Sequence, residues 1–184
     1  QQNFAVKAKI AGTGNELPLI QSLIAKYQLE NEIELLGVVE NMADFYQQID
    51  LFICPSVREP FGLVCLEAML YGLPVICANI DGLPEVVTDG VNGFCLQPTL
   101  SVAEYDHLLG LPSQLNQQVY APETDTVQKA KLLDPIKITE LVIKLKEQPE
   151  LYQQMSQNAL STTQQTPSFD NFCKSILSTL ENMS

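Results

Sequence analysis

The chain has 184 residues, 46% hydrophobic and 17% charged, with a formal net charge of −12. That length suits one globular domain, or one with an appendage, and suffices to bury about 70% of the unfolded surface. The acidic balance argues against nucleic acid and anionic membrane as partners, and no apolar run approaches the ~18 residues of a membrane span.

Residues 1–20 lack the basic start and apolar core of a signal peptide. The chain runs from Gln1-Gln2-Asn3 straight into strand pattern without an initiator methionine, and it reads as a fragment. Phe4 to Ala11 alternates Phe4, Val6, Ala8 and Ile10, a strand pattern. Gly12-Thr13-Gly14 opens a helix from Asn15 to Tyr27, striped by Leu17, Ile20, Leu23, Ile24 and Tyr27. A Gly-x-Gly between strand and helix can cradle phosphate. The third glycine of the dinucleotide fingerprint is replaced by Leu17 and Pro18, which argues against a nicotinamide site.

Glu32 to Leu36 forms a second strand ended by Gly37, and Asn41 caps a short helix after Val38-Val39-Glu40. The continuous apolar run Leu51 to Cys54 predicts a strand buried on both faces. Pro55 ends it, and Glu59-Pro60 makes a stiff loop. A helix follows from Gly62, stopped by Gly72 and Pro74. Val75 to Ala78 is the next strand, and Asp81 to Val87 supplies a turn and a short helix. Asp89-Gly90 and Asn92-Gly93 are turn dipeptides before a strand at Phe94 to Leu96.

Residues 99–134 are polar and Gln-rich without sustained periodicity, and are expected to be a surface excursion that leaves the strand order unchanged. Asp134-Pro135 starts a helix through Glu147 whose face carries Ile138, Leu141, Val142 and Leu145. Two more helices are expected, Glu150 to Leu160 and, capped by Ser168, Phe169 to Asn182. The alternation predicts an α/β fold: a Rossmann-like, doubly wound parallel sheet with C-terminal helices. The core would span 1–98, the excursion 99–134 and the C-terminal helices 135–184. Five cysteines at 54, 65, 77, 95 and 173 match no zinc spacing and read as core thiols of a reducing, cytoplasmic setting. His107, the lone histidine, sits in the excursion and reads as a surface residue, which weakens any Ser-His or Cys-His nucleophile.

The chemistry concentrates between Arg58 and Gly72. The helix there looks apolar all round, so its one carboxylate, Glu67, is expected to be buried or nearly so, facing a cleft with Glu59. Helical side chains lean toward the N-terminus, so Glu67 can reach back to the end that Glu59 approaches from the loop. Between them the amides of Phe61, Gly62, Leu63 and Val64 are left unsatisfied by the helix. Free amides at a positive dipole end suit an anion, and flanking carboxylates suit hydroxyl donors. A nucleotide sugar offers both. The alternative is an exposed loop acid beside a satisfied core acid.

Glu59-Pro-Phe-Gly-Leu-Val-Cys-Leu-Glu67, preceded by Pro55-Ser56 and followed by Ala68-Met69 and Gly72-Leu-Pro-Val75, resembles the Glu-x7-Glu signature of retaining glycosyltransferases with the GT-B fold, most like glycosyltransferase family 4. The resemblance covers nearly all of the chain outside residues 99–134. It implies the donor-binding half of a two-domain enzyme that transfers a hexose from a nucleoside diphosphate with retention and without a metal or other cofactor. Glu59 would hold sugar hydroxyls as the catalytic-site acid, the amides of Phe61 to Val64 the phosphate or sugar, and Glu67 the ribose diol. Gly12 and Gly14 would begin the donor-side loop. Val39 would lie against the base, though a valine after a strand is ordinarily core. Asp81-Gly-Leu-Pro-Glu85 resembles the family's Gly-Gly-x-x-Glu turn, with Asp81 in place of a common glycine; Glu85 serves a ligand or its own helix dipole. The acceptor and the Arg/Lys diphosphate clamp would belong to the parent's upstream part, and Arg58 does not stand in the clamp's motif position. An isomerase resembling sugar-nucleotide epimerases and a non-catalytic nucleotide-binding module are the alternatives. The fragment itself is expected to bind a nucleoside diphosphate weakly, with a dissociation constant of roughly 0.1 to 10 mM.

Overall fold

The computed structural model describes residues 5–110, 112, 113, 115, 117–165, 174 and 178. The chain forms two compact units, Gln1–Gln48 and Ile49–Ser184.

In the first unit, β1 (Ala8–Ala11) pairs in parallel with β2 (Ile33–Gly37), and α1 (Leu17–Tyr27) connects them. Pro18 lies in the first turn of α1, where its missing N–H costs nothing, and Gln28 closes the helix in a left-handed conformation. The helix starts two residues later than the sequence pattern suggests, and Phe4 lies outside the described residues. Asn41 caps α2 (Met42–Tyr46) as expected, its side chain accepting from the Asp44 amide.

The second unit holds a three-stranded parallel sheet in the order β3 (Phe52–Cys54), β4 (Val75–Ala78), β5 (Gly93–Leu96). The register places Cys54, Cys77 and Cys95 side by side. All four residues of β4 are buried, as a central strand with cover on both faces requires. The same expectation fails for β3. Ile53 is 38% exposed, because among the described strands β3 pairs on one side only.

The connection from β3 to β4 is α3 (Leu63–Leu70), and α4 (Leu83–Val86) follows β4. One face of the sheet is covered by α6 (Pro135–Glu147) and α7 (Pro149–Gln165), giving a core of Ile76, Phe94, Leu145 and Met155. Ile138, Leu141 and Val142 pack against it, the face read from the helical spacing. The sequence marks Asn92 only as half of a turn, yet it is buried. Its side-chain amide donates to Val86 O and Thr162 Oγ1, and its Oδ1 accepts from Thr88 N. A buried amide with its groups satisfied ties the turn before β5 to α7. The expected last helix falls almost wholly outside the described residues, as does Cys173.

Residues 99–134 leave the three-strand order intact but carry more structure than their composition suggests. They contain β6 (Leu100–Ser101), α5 (Val102–Leu109), β7 (Gln118–Ala121), β8 (Thr126–Lys129) and β9 (Lys131–Leu132). β6 pairs with β9 and β7 with β8, both antiparallel. A full capping box between Ser101 and Glu104 starts α5, and Gly110 ends it at positive φ. Val119, Ala121 and Ala130 are buried, so the segment has its own inward face. His107 lies on α5 and is exposed.

Among the described residues no helix is long and apolar enough to cross a membrane.

Candidate functional site

The site in the second unit is built where β3 ends and α3 begins. Gly62 caps α3 at φ 91, a conformation that favours glycine, and a Cβ there would lie 2.8 Å from a Leu83 methyl. The amides of Cys65 and Leu66 both turn back to Gly62 O, at 2.9 and 3.2 Å. The Gly62 amide donates to Glu59 Oε1 at 3.1 Å. Glu59 therefore caps the helix with one oxygen, and this corrects the expectation that the Gly62 amide stays open. The amides of Phe61 and Leu63 have no acceptor among the described residues, and Glu59 Oε2 has no donor among them. Glu59 is half-buried. Both flanking features that suit a sugar or phosphate survive: two donors at a helix start and one acceptor oxygen beside them.

The expectation for Glu67 is overturned, since the residue is exposed. The reason lies in helix geometry. Cys65, Ala68, Met69 and Gly72 recur at helical spacing and form the buried stripe. Glu67 stands four residues from Leu63 and Tyr71 and three from Leu70, and shares their outer face. Leu63 is 63% and Leu70 59% exposed, so the apolar letters on that face mark no burial. Val64 is also exposed. Glu67 is thus an exposed carboxylate, not a charge in the core.

The other proposed donor residues belong to the first unit. The Gly12 amide donates to Gly37 O at 2.7 Å, joining the C-terminal ends of β1 and β2. Gly12 has φ 129 and, like Gly14, is exposed with no atom near its would-be Cβ. Val39, two residues beyond Gly37, is half-buried while Val38 is exposed. Gly12, Gly14 and Val39 therefore share one strand-end edge of their unit, the kind of edge at which parallel α/β sheets bind ligands. Glu85 lies in the first turn of α4, consistent with its dipole role.

Sequence reasoning missed a cluster next to Glu59. Asp81, at φ 45, lies outside the usual range for a residue with a side chain. Its Oδ2 accepts from Arg58 Nε at 2.9 Å and from the Glu59 amide at 3.1 Å. Its Oδ1 accepts from the Tyr120 amide at 3.0 Å. Arg58 also donates through Nη1 to Gln118 O, so the lone arginine is committed to this network. The one available signal was the aspartate standing where a glycine is common.

Beneath the loop, four cysteines are free thiols: Cys54, Cys65 and Cys77 buried, Cys95 less so. Cys77 and Cys95 lie 3.7 Å apart at sulfur. A hydrogen bond from the Cys65 thiol lowers the Cys54 thiol to about 6 against the effect of burial, with Ser56 assisting. The same contact and burial push Cys65 up. A thiol lowered on folding stabilises the fold above its unfolded pKa, and that contribution is lost as pH falls through about 6. Replacing Cys65 by Ala leaves burial as the dominant influence on Cys54. Its titration is expected to move up from about 6, as read by ultraviolet thiolate absorbance. An unchanged midpoint would show that Cys65 is not the cause. Among the described residues no three His, Cys, Asp or Glu side chains are placed to hold a metal ion.

Residues 1–111 match the family model described as glycosyl transferases group 1. The chain belongs to this family. N-acetyl-alpha-D-glucosaminyl L-malate synthase of Bacillus anthracis is 36% identical over 88 residues, 48% of this chain and 23% of that protein. D-inositol 3-phosphate glycosyltransferase of Streptomyces griseus is 45% identical over 80 residues, 42% of this chain and 17% of that protein. Among solved structures, Anabaena Alr3699/HepE in complex with UDP and glucose is similar over 96% of this chain and 40% of that one, with TM-score 0.66 and 25% identity. The chain thus spans about a quarter or less of these two curated relatives. The group 1 match and this structural likeness establish a GT-B, Rossmann-like α/β fold, and they place the Glu59–Glu67 stretch inside the matched region.

Proposed function

We propose that this chain is the donor-binding part of a glycosyltransferase that moves a hexose from a nucleoside diphosphate to an acceptor with retention. The observation that carries the reading is the Glu59–Gly62 turn. One carboxylate oxygen caps α3 while the other, with the amides of Phe61 and Leu63, is left for a ligand. Membership of glycosyl transferases group 1 and the UDP and glucose bound by HepE support a UDP-sugar as the first donor to try. In this reading Glu59 Oε2 accepts a sugar hydroxyl, and the α3 amides meet the phosphate or sugar. Glu67 accepts from the ribose diol at the exposed face. Preorganised amides of this kind act on developing phosphate charge without a metal. Acceptor binding and closure over the donor belong to the rest of the parent protein, so the fragment does no chemistry alone. A cytoplasmic setting completes the proposal.

Titration of the isotope-labelled chain with UDP-, GDP- and ADP-sugars tests this. The expected result is fast-exchange shifts at Phe61 to Glu67, with a dissociation constant of roughly 0.1 to 10 mM for the preferred donor. Gly12 and Val39 are followed in the same spectra as reporters of the first unit. Glu59→Ala is expected to weaken binding at least tenfold by removing both the cap and the acceptor. Nanomolar affinity, turnover by the chain alone, or shifts confined to residues away from α3 would each defeat the proposal.

A further inference from the structure

We infer that Asp81 is a positioning residue for Glu59, and that through it hairpin β7–β8 is a working part of the donor site. The inference rests on the reading of Glu59 given above. Asp81 Oδ2 holds the Glu59 amide, and the amide of Gly82 donates to Glu59 O at 3.4 Å. With Oε1 engaged by Gly62, the residue is gripped at its amide, its carbonyl and one carboxylate oxygen. What remains is Oε2, aimed by everything else being fixed. The same Asp81 carboxylate reaches the hairpin. Oδ1 accepts from Tyr120 N, the Asp81 amide donates to Tyr120 O at 3.0 Å, and Arg58 bridges Asp81 to Gln118 O.

Two further observations separate this from an incidental surface ion pair. The Asp81 side chain is only 8% exposed, although Arg58 is 51% exposed, so the carboxylate is a shielded acceptor with all its donors in place. And Asp81 adopts φ 45, where glycine would sit without strain. A residue in a strained conformation whose side chain makes three bonds is held there by those bonds. Next to it, a Cβ on Gly82 would lie 2.2 Å from Pro60 O, so the turn and the Glu59 loop are in direct contact with no slack. The hairpin is also tied at its turn by Asn79 Nδ2 to Glu123 Oε1 at 3.0 Å. Movement of the hairpin is therefore transmitted to Glu59 through Asp81 and through Arg58, its neighbour in sequence.

Asp81→Gly separates positioning from folding, since it relieves the backbone strain while deleting the carboxylate. We expect thermal stability to fall only modestly, since relief of the strain offsets part of the three lost bonds. The Glu59, Gly62 and Tyr120 amides should exchange at least tenfold faster with solvent, with Val75 to Ala78 unchanged. UDP-glucose affinity should fall at least fivefold. Asp81→Asn, which keeps an acceptor, should recover part of both effects, and Arg58→Ala, which spares the carboxylate, should give a smaller one. Faster exchange at Tyr120 alone, or Asp81→Gly with wild-type exchange at Glu59 and Gly62, would overturn the inference. If the unaltered chain does not bind UDP-glucose or UDP, the donor-site reading fails. The coupling is then decided by the exchange of Glu59 and Gly62 alone.

Discussion

Gly93→Ala is expected to destabilise the second unit by about 3 kcal/mol or more, among the largest effects of any single methyl group in this chain. A Cβ at Gly93 would stand 2.1 Å from Val75 O and 3.0 Å from Val75 C and N. These are backbone atoms of the central strand, directly across the β4–β5 ladder, and they cannot rotate away as a side chain would. Relief requires the two strands to part. That disturbs the parallel pairing of Val75, Ile76, Cys77 and Ala78 and the Ile76–Phe94 contact in the core. For a unit of this size the loss corresponds to a fall in melting temperature of about 10 °C. Gly90→Ala provides the comparison: nothing lies within 4 Å of its would-be Cβ, but its φ of 73 is unfavourable. That change should cost about 1 kcal/mol. Equal costs for the two, measured by denaturant melts, would show that the close approach at Gly93 is not what limits substitution.

The Gly93 case also shows where reading the sequence reaches and where it stops. Asn92-Gly93 announces a turn, and a turn is there, yet neither residue is fixed by the turn alone. Gly93 is fixed by a strand lying 18 residues earlier in the chain, and Asn92 by Thr162 on a helix 70 residues later. Features that depend on neighbouring residues came through. Examples are the Asn41 and Asp134 caps, the β4 strand and the α6 face from Ile138 to Leu145. The Glu59–Gly62 turn is local as well, and the sequence reading had Glu59 at the helix start. It did not foresee that Glu59 would occupy the Gly62 amide, because a carboxylate three residues ahead of an amide can cap it or leave it open with the same letters.

Glu67 fails for a different reason. In a helix whose outer face is Leu63, Val64, Leu70 and Tyr71, hydrophobicity carries no information about which side is covered. Only the small residues Cys65, Ala68 and Gly72 hint at the packed stripe. Asp81 was legible only as a departure from a glycine. Its partners, 23 and 39 residues away, share no pattern with it. Hairpin β7–β8 was missed because its inward face consists of little more than Val119 and Ala121, an alternation too short to stand out from the surrounding glutamines.

Excising residues 102–130 and joining Ser101 to Lys131 through a two-residue turn should lower stability by about 3 to 5 kcal/mol while leaving a single cooperative transition. The join is geometrically open, since Ser101 and Lys131 are already antiparallel partners, and a tight turn is the natural closure of such a pair. The loss comes from Val119, worth about 1.5 to 3 kcal/mol when fully buried, and from Ala121 and Ala130 at about 0.8 each. The core of Ile76, Phe94, Leu145 and Met155 takes no residue from the excised stretch, and neither does the packing of Gly72 against Ser156 and Leu160. Domains of this kind have about 5 to 15 kcal/mol in hand, so the remainder should still fold. Urea melts followed by circular dichroism would show a lower midpoint and a slope reduced with the buried area. A broad, non-cooperative transition would mean that residues 102–130 belong to the core after all. An unchanged midpoint would mean that neither the inward face of the hairpin nor its bonds to Asp81, Arg58 and Asn79 contribute to stability.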